Sequence, residues 1–300
     1  MQIKKFNLII KKKISSYNKV ISVDSDKSLS IRSFLIGSIC QNVSTANNIL
    51  ESADVKSTID ACRKLGVKIL KTKPQSYKIY GRGLGSFNIK KNSEINFGNS
   101  GTLARLLIGV LSTNPNICLK IKGDHSLNKR NMKKIIDLMS DFGATFFPKG
   151  KKNFPLKMIS SEMPIGINYK SGVSAQLKSA VMLAGLNSFG DTIIKEQVAS
   201  RDHTENLLMN NKQCITIKKK GKKVIKIIGK KYLKPININI GGDPSSAAFF
   251  TALTLLNRDS SLKIKNVGLN PTRTGFYEIL KKQKVNLRFI NLKKENNETR

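Results

Sequence analysis

The sequence predicts an α/β fold made of repeated strand–helix–strand–helix–strand units, and three observations carry that reading. Four segments begin with small or polar residues and run into an apolar helix: Asp26-Lys27-Ser28-Leu29-Ser30, Asn99-Ser100-Gly101-Thr102-Leu103, Gly172-Val173-Ser174-Ala175-Gln176 and Asp243-Pro244-Ser245-Ser246-Ala247. Ser28, Gly101, Ser174 and Ser246 recur about every 72 residues, a long period that marks repeated supersecondary units. Between them short strands alternate with amphipathic helices, and units that cannot bury their own faces must pack on one another.

The first helix of each unit continues as RSFLIGSIC, ARLLIGVLS, KSAVMLAGLN or AFFTALTLLN. These are apolar on every side, as a fully buried helix must be. Short strands (Ile121-Lys122, Ile193-Ile194, Ile264-Lys265) then lead to more exposed helices: STIDACRKLG, MKKIIDLMSDFG, HTENLLM and TGFYEILKK. Ile135, Leu138 and Met139 form one buried stripe at helical spacing. Gly66 and Gly143 stand where C-terminal caps belong. Strand-like VKIL, ATFF, CITI and VNLRF follow, and the Gly81–Gly85 run GRGLG, with no helix after it, reads as a hairpin turn. Three units make one compact domain, residues 24–242. The fourth begins a second domain at Asp243 and is followed only by polar KVNLRFINLKKENNETR, without a cap or closing strand, so the chain is expected to stop inside that domain.

Three hundred residues suffice for a large core, and 39% hydrophobic with 24% charged residues is ordinary for a globular chain. Charge is the outlier: 54 Lys+Arg against 19 Asp+Glu gives +35, which points to anionic partners. The lysines are spread along the chain in short clusters such as Lys11-Lys12-Lys13 and Lys218-Lys219-Lys220, which read as a solvated basic surface. With 6% aromatics, no Trp and no zinc-finger, RNP or helix-turn-helix signature, nucleic acid is not the expected partner. Cys40, Cys62, Cys118 and Cys214 are widely spaced and read as reduced core thiols, so neither a disulfide framework nor a zinc site is expected. His125 and His203 read as polar loop residues. No apolar run approaches the roughly 18 residues of a membrane span, MQIKKFNLIIKKK lacks the pattern of a signal peptide, and a cytoplasmic protein is expected.

The chemistry lies at the helix starts. A helix N-terminus presents unpaired N–H groups and a partial positive charge to an anion. Small residues such as Ser28, Gly101 and Ser174 let a ligand approach that backbone closely. Lys27 adds a point charge, and Arg32, at i+4 from Ser28 and so on the same face, adds a planar fork suited to carboxylate or phosphate. GDHSLNKRNM places Lys129-Arg130 just before a helix, and SRDHTENLL places Arg201 in the equivalent loop. Four equivalent starts on repeated units can converge on one site.

These motifs together resemble the 5-enolpyruvylshikimate-3-phosphate synthase family. DKSLSIRSF, NFGNSGTLARLL, GDHSLNKRNM, SAQLKSAVMLAGL, RDHTENLL, GGDPSSAAFF and NPTRTG occur in the family's order, from Val23 to about Lys281. The resemblance implies an enolpyruvyl transferase-like α/β fold: two domains of three βαβαββ units each, with the site in the cleft between them. Residues 1–23 then belong with 243–300 in a partial second domain lacking about two repeats, or about 130 residues. The implied reaction moves the enolpyruvyl group of phosphoenolpyruvate to the 5-hydroxyl of shikimate 3-phosphate, with release of phosphate and with no metal or organic cofactor. By motif, Lys27 touches both substrates; Ser28, Arg32, Ser174, Ala175, Gln176 and Arg201 bind shikimate 3-phosphate; Gly101, Arg130 and Gln176 contact phosphoenolpyruvate. A monomer is implied.

The departures are specific. Asp24-Ser25 replaces the family's Pro-Gly, and Asp24 is positioned to pair with a nearby cation; Asn131 and Leu106 replace prolines. Gly101 is the residue type of glyphosate-sensitive members, which implies partial sensitivity here. The family's catalytic aspartate and its Lys-Glu-Ser-Asp-Arg stretch have no match in the chain. The alternatives are an inactive fragment, a degenerate basic module that binds nucleic acid, and a UDP-N-acetylglucosamine enolpyruvyl transferase. The last is disfavoured by Lys27-Ser28 where Lys-Asn is usual.

Overall fold

The computed structural model describes residues 9, 11, 13–218 and 221–300; MQIKKFNL, Ile10, Lys12 and the Lys219-Lys220 pair lie outside the described residues. The chain runs through β1 (Asn18–Ser22), α1 (Lys27–Ile39), β2 (Val43–Asn47), α2 (Ala53–Lys64), β3 (Lys68–Lys73) and β4 (Ser76–Tyr80). Next come β5 (Glu94–Asn96), α3 (Gly101–Ser112), β6 (Cys118–Lys122), α4 (His125–Asn128), α5 (Lys133–Asp141), β7 (Thr145–Phe147) and β8 (Leu156–Ile159). A matching run follows: β9 (Asn168–Ser171), α6 (Ala175–Leu186), β10 (Asp191–Glu196), α7 (His203–Leu208), β11 (Ile215–Lys218) and β12 (Val224–Ile228). The last elements are β13 (Asn237–Asn239), α8 (Pro244–Leu256), β14 (Ser261–Lys265), α9 (Gly275–Lys282), β15 (Lys294–Glu295) and β16 (Glu298–Thr299).

Three four-stranded sheets share one pattern. Their orders are β5-β6-β8-β7, β9-β10-β12-β11 and β13-β2-β4-β3, with the first pair parallel and the others antiparallel. A parallel pair needs a crossover helix, and α3 and α6 supply it within their units. In the third sheet the first strand is β13, almost 200 residues downstream of its neighbour, with Asn237 opposite Thr45. The mirror exchange occurs outside these sheets, where β1 pairs in parallel with β14, Asn18 opposite Ser261. The chain therefore crosses twice, near residues 23–26 and 240–243, and the crossings are bonded to each other. Asp26 N donates to Gly241 O at 2.9 Å and Asp243 N to Asp24 O at 2.7 Å.

α1, α3 and α6 fill the space between the three sheets. From Leu29 to Ile39 every residue of α1 is buried, and most of α3 and α6 are. The three buried serines of α1 survive burial because each hydroxyl bonds a carbonyl one turn back: Ser30 to Asp26, Ser33 to Leu29 and Ser38 to Phe34. α3 and α6 touch backbone to backbone at Gly109, where a Cβ would stand 2.6 Å from Ala180 O. Gly66 and Gly143 follow the last turns of α2 and α5 with φ of +85° and +93°, a conformation glycine adopts without strain.

Four expectations need correction. GRGLG is not a hairpin turn: the β3–β4 turn lies upstream at Gln75 (φ 57°), and GRGLG folds onto the end of α1, with Arg82 N on Ser38 O and Gly83 N on Cys40 O. VNLRF forms no strand, since no strand among the described residues pairs with it; Phe289 instead packs edge-on against Tyr277 of α9. The polar end does carry strands, in the short β15–β16 hairpin whose turn residues Asn296 and Asn297 both have positive φ. Neither histidine is a loop residue: His125 opens the short α4, and His203 is buried at the start of α7. The cysteines are all free; three are buried and Cys118 is half-buried. Among the described residues no helix is long and apolar enough to cross a membrane.

Candidate anion site at the inner helix starts

Each inner helix begins at a side-chain cap. Asp26 Oδ1 accepts from Leu29 N at 2.9 Å, Ser100 Oγ from Leu103 N at 3.2 Å and Ser174 Oγ from Leu177 N at 3.4 Å. The caps satisfy some of the orphan N–H groups, and the remainder face outward at the ends of three helices tied side by side. Gln176 on α6 makes the tie to α3: its Oε1 accepts from Arg105 Nη1 at 2.9 Å, and its Nε2 donates to Thr102 Oγ1 at 2.8 Å. Arg32 ties α1 to α6 and α7, with Nη2 on Ser179 Oγ at 3.2 Å and Nε on Thr204 Oγ1 at 2.8 Å.

Cations cluster at these starts. Arg32 Nη1 donates to Ser28 O at 3.0 Å, and Arg105 Nη1 to Gly101 O at 3.1 Å, so two repeats use one geometry. Arg32 is 4% exposed, and its hydrogen-bond partners are neutral oxygens. Burial pushes its guanidinium down to about 10, against the partial support of Asp26, Glu205 and Glu298. Burial and then the neighbouring Arg130 lower Arg105 as well. Over Gly101 stand two guanidinium groups: a Cβ there would lie 3.0 Å from Arg105 Nη1 and 3.1 Å from Arg130 Nη1. Arg130 is exposed and steadied by Asn99 Oδ1 at 3.0 Å. Lys27 is half-exposed and paired with Asp54 of α2 at 3.0 Å. Asp24 makes no ion pair among the described residues, contrary to expectation; its carbonyl serves the crossover instead.

Arg201 is exposed in the loop between β10 and α7. Burial of part of its head and the nearby Arg273 lower it, while Asp26 and Asp243 offset them. The loop is fixed from below. Glu196 Oε1 accepts both Ser200 N and Ser200 Oγ at 3.0 Å, and Glu196 is itself held by Lys178 at 2.6 Å. Lys178, fully buried, also meets Glu205 at 2.7 Å, and Lys223 lies 3.3 Å from both carboxylates. Lys178 occupies in α6 the place of Arg32 in α1 and Arg105 in α3, one repeat period apart.

The structure thus gathers Lys27, Ser28, Arg32, Gly101, Ser174, Ala175 and Gln176 at the converging helix starts, with Arg130 and Arg201 in the flanking loops. Sequence reasoning passed over Arg105, Lys178 and Asp54. The repeat held the signal for the first two, since Ser28 to Arg32, Gly101 to Arg105 and Ser174 to Lys178 are the same step of four. The arrangement can bind a multiply charged anion on N–H groups and guanidinium forks.

Solved structures place this architecture among the enolpyruvyl transferases. The enolpyruvyl transferase NikO from Streptomyces tendae superposes with a TM-score of 0.68 at 12% identity, over 95% of this chain and 65% of that one, a likeness of fold alone. EPSP synthase from Acinetobacter baumannii superposes with a TM-score of 0.84 at 34% identity, over 95% of this chain and 63% of that one. The family model for EPSP synthase (3-phosphoshikimate 1-carboxyvinyltransferase) matches residues 11–299, and the chain belongs to that family. It is similar to the 3-phosphoshikimate 1-carboxyvinyltransferases of Novosphingobium aromaticivorans (40% identity over 266 residues, 87% of this chain) and Paramagnetospirillum magneticum (37% over 270 residues, 89%). The chain spans 59% and 60% of the length of these two relatives.

Proposed function

We propose that the chain supplies one wall of an enolpyruvyl transferase site that moves the enolpyruvyl group of phosphoenolpyruvate to shikimate 3-phosphate. The observation that carries the proposal is the set of three capped helix starts, with Arg105 and Arg130 over Gly101, Arg32 between α1 and α6, and Arg201 in a flanking loop. Both substrates carry phosphate and carboxylate, which that set suits. Ser28, Arg32, Ser174, Ala175, Gln176 and Arg201 receive shikimate 3-phosphate, with its phosphate at the start of α6 near Arg201. Gly101, Arg130 and Gln176 receive phosphoenolpyruvate, and Lys27 lies between the two. In the reaction, carbon 3 of phosphoenolpyruvate takes a proton while the 5-hydroxyl gives up its own and adds at carbon 2; the tetrahedral intermediate then loses phosphate from carbon 2 and a proton from carbon 3, which restores the double bond. These residues would stabilise the negative charge that shifts onto the departing phosphate.

On the same reading residues 24–242 form a three-unit domain, with 1–23 and 243–300 as part of a second, in a monomeric cytoplasmic protein. Titration calorimetry with shikimate 3-phosphate is the test, since every contact proposed for that substrate lies within this chain. Saturable one-to-one binding supports the proposal. Its absence, together with steep salt-dependent association with any RNA or DNA, would favour the basic-module alternative.

A further inference from the structure

Arg273, in the NPTRTG stretch, takes no part in the contacts proposed above, yet its side chain is 3% exposed and lies where the chain crosses twice. Its Nη1 donates to Asp26 Oδ2 at 2.7 Å; its Nη2 donates to Asp243 Oδ1 at 2.7 Å and Ser245 Oγ at 2.9 Å. His203 Nε2 stands 3.2 Å from Nη1, and His203 Nδ1 meets Glu298 Oε1 at 2.8 Å. Asp26 and Asp243 are the N-caps of α1 and α8, each just after a crossing. One guanidinium therefore joins both caps and both crossings. A buried carboxylate one residue before Lys27 would otherwise place an uncompensated negative charge beside an anion site. The influence reaches the site: Asp26 acts electrostatically on Arg32 and Arg201, and Arg273 on Arg201.

We infer that Arg273 is a positioning residue of the anion site, which acts by cancelling the Asp26 carboxylate at the start of α1 so that the field offered to a phosphate stays positive. The inference rests on the reading of the helix starts as an anion site. Serine also caps helices, so Asp26→Ser removes the charge and keeps the cap.

The full chain is titrated with shikimate 3-phosphate as wild type, Arg273→Gln, Asp26→Ser and Asp26→Ser/Arg273→Gln, with circular dichroism as the check of folding. Arg273→Gln is expected to weaken binding about tenfold, and the double variant to return to within about threefold of wild type. Asp26→Ser alone is expected to bind at least as tightly as wild type, a result that stands even if Arg273→Gln does not fold. Unchanged affinity in Arg273→Gln, a loss that the double variant does not recover, or a tenfold loss in Asp26→Ser overturns the inference and leaves Arg273 a structural clasp. A wild-type chain that does not bind shikimate 3-phosphate overturns the function reading instead. The same proteins are then compared by phosphorus NMR line broadening with inorganic phosphate. The same pattern there sustains the inference, and absence of binding by all four overturns it too.

Discussion

Arg32 shows how a site residue can oppose the fold that contains it. It is desolvated among Ser28 O, Ser179 Oγ and Thr204 Oγ1, with no carboxylate in hydrogen-bond contact among the described residues, and burial pushes its pKa well down, to about 10. That shift corresponds to about 3 kcal/mol of destabilisation of the charged form in the folded state. Arg32→Met is therefore expected to leave the unfolding free energy unchanged or raise it by up to about 3 kcal/mol, while shikimate 3-phosphate affinity falls at least about tenfold. Urea denaturation and calorimetry on the same variant check both halves; a strongly destabilised Arg32→Met would refute the reading. Gly101 makes the converse case. An added methyl has room only if the Arg105 and Arg130 heads give way by a few tenths of an ångström. On the proposed reading, Gly101→Ala is expected to keep the melting temperature, since alanine favours helix, and to weaken phosphoenolpyruvate more than shikimate 3-phosphate in calorimetry.

Among the elements, the start of α6 and the Arg201 loop depend on the buried Lys178–Glu196–Glu205–Lys223 group. Lys178→Met leaves two carboxylates facing one partly exposed lysine, and a loss of about 3–5 kcal/mol is expected in chemical denaturation. The pH dependence follows from the shifts. Burial raises Glu196, but Lys178 and Lys223 outweigh it and hold the carboxyl below its ordinary 4.5. Its contribution is thus complete above that value and lost as pH falls through the lower folded pKa. Asp26 behaves alike: burial is outweighed by His203 and Arg273, and its loss begins below 3.8. Lys223 is raised above 10.5, so its share is present below that value and lost only on further alkalinisation. Melting temperature against pH should therefore show a plateau with an acid edge below about 4.5, shallower in Glu196→Gln. The elements differed in how far the sequence revealed them. The helix starts were legible because Asp26, Ser100, Ser174 and Asp243 cap through bonds to the next few residues. GRGLG and VNLRF were misread because a hairpin or strand is defined by a partner distant in sequence. β13 was unreadable as a first strand for the same reason: Asn237-Ile238-Asn239 gains its place only from Thr45 to Asn47. Arg273 could not be assigned because its two carboxylate partners lie 30 and 247 residues away.

Across the whole molecule, the contrast is between buried and uncovered copies of the same helix. α1, α3 and α6 are enclosed by three sheets, whereas α8, equally apolar, buries only Pro244 and Ala247 and leaves Phe249 78% and Leu256 87% exposed. Leu256→Asp should therefore change unfolding by no more than about 0.5 kcal/mol, while Leu107→Ala in α3 should cost about 2–5 kcal/mol. Equal effects in urea denaturation would contradict the assigned packing. The charge of +35 presents a different choice, because a diffuse basic surface and a built anion site both attract phosphate. Only the built site depends on particular residues. The most direct test is calorimetric titration of the chain with shikimate 3-phosphate, in parallel with Arg32→Met and with Lys73→Gln/Lys134→Gln, two exposed lysines outside the site. The account predicts saturable one-to-one binding, weakened at least about tenfold by Arg32→Met and unchanged by the paired lysine variant. Equal weakening by both, or binding without saturation, would contradict it.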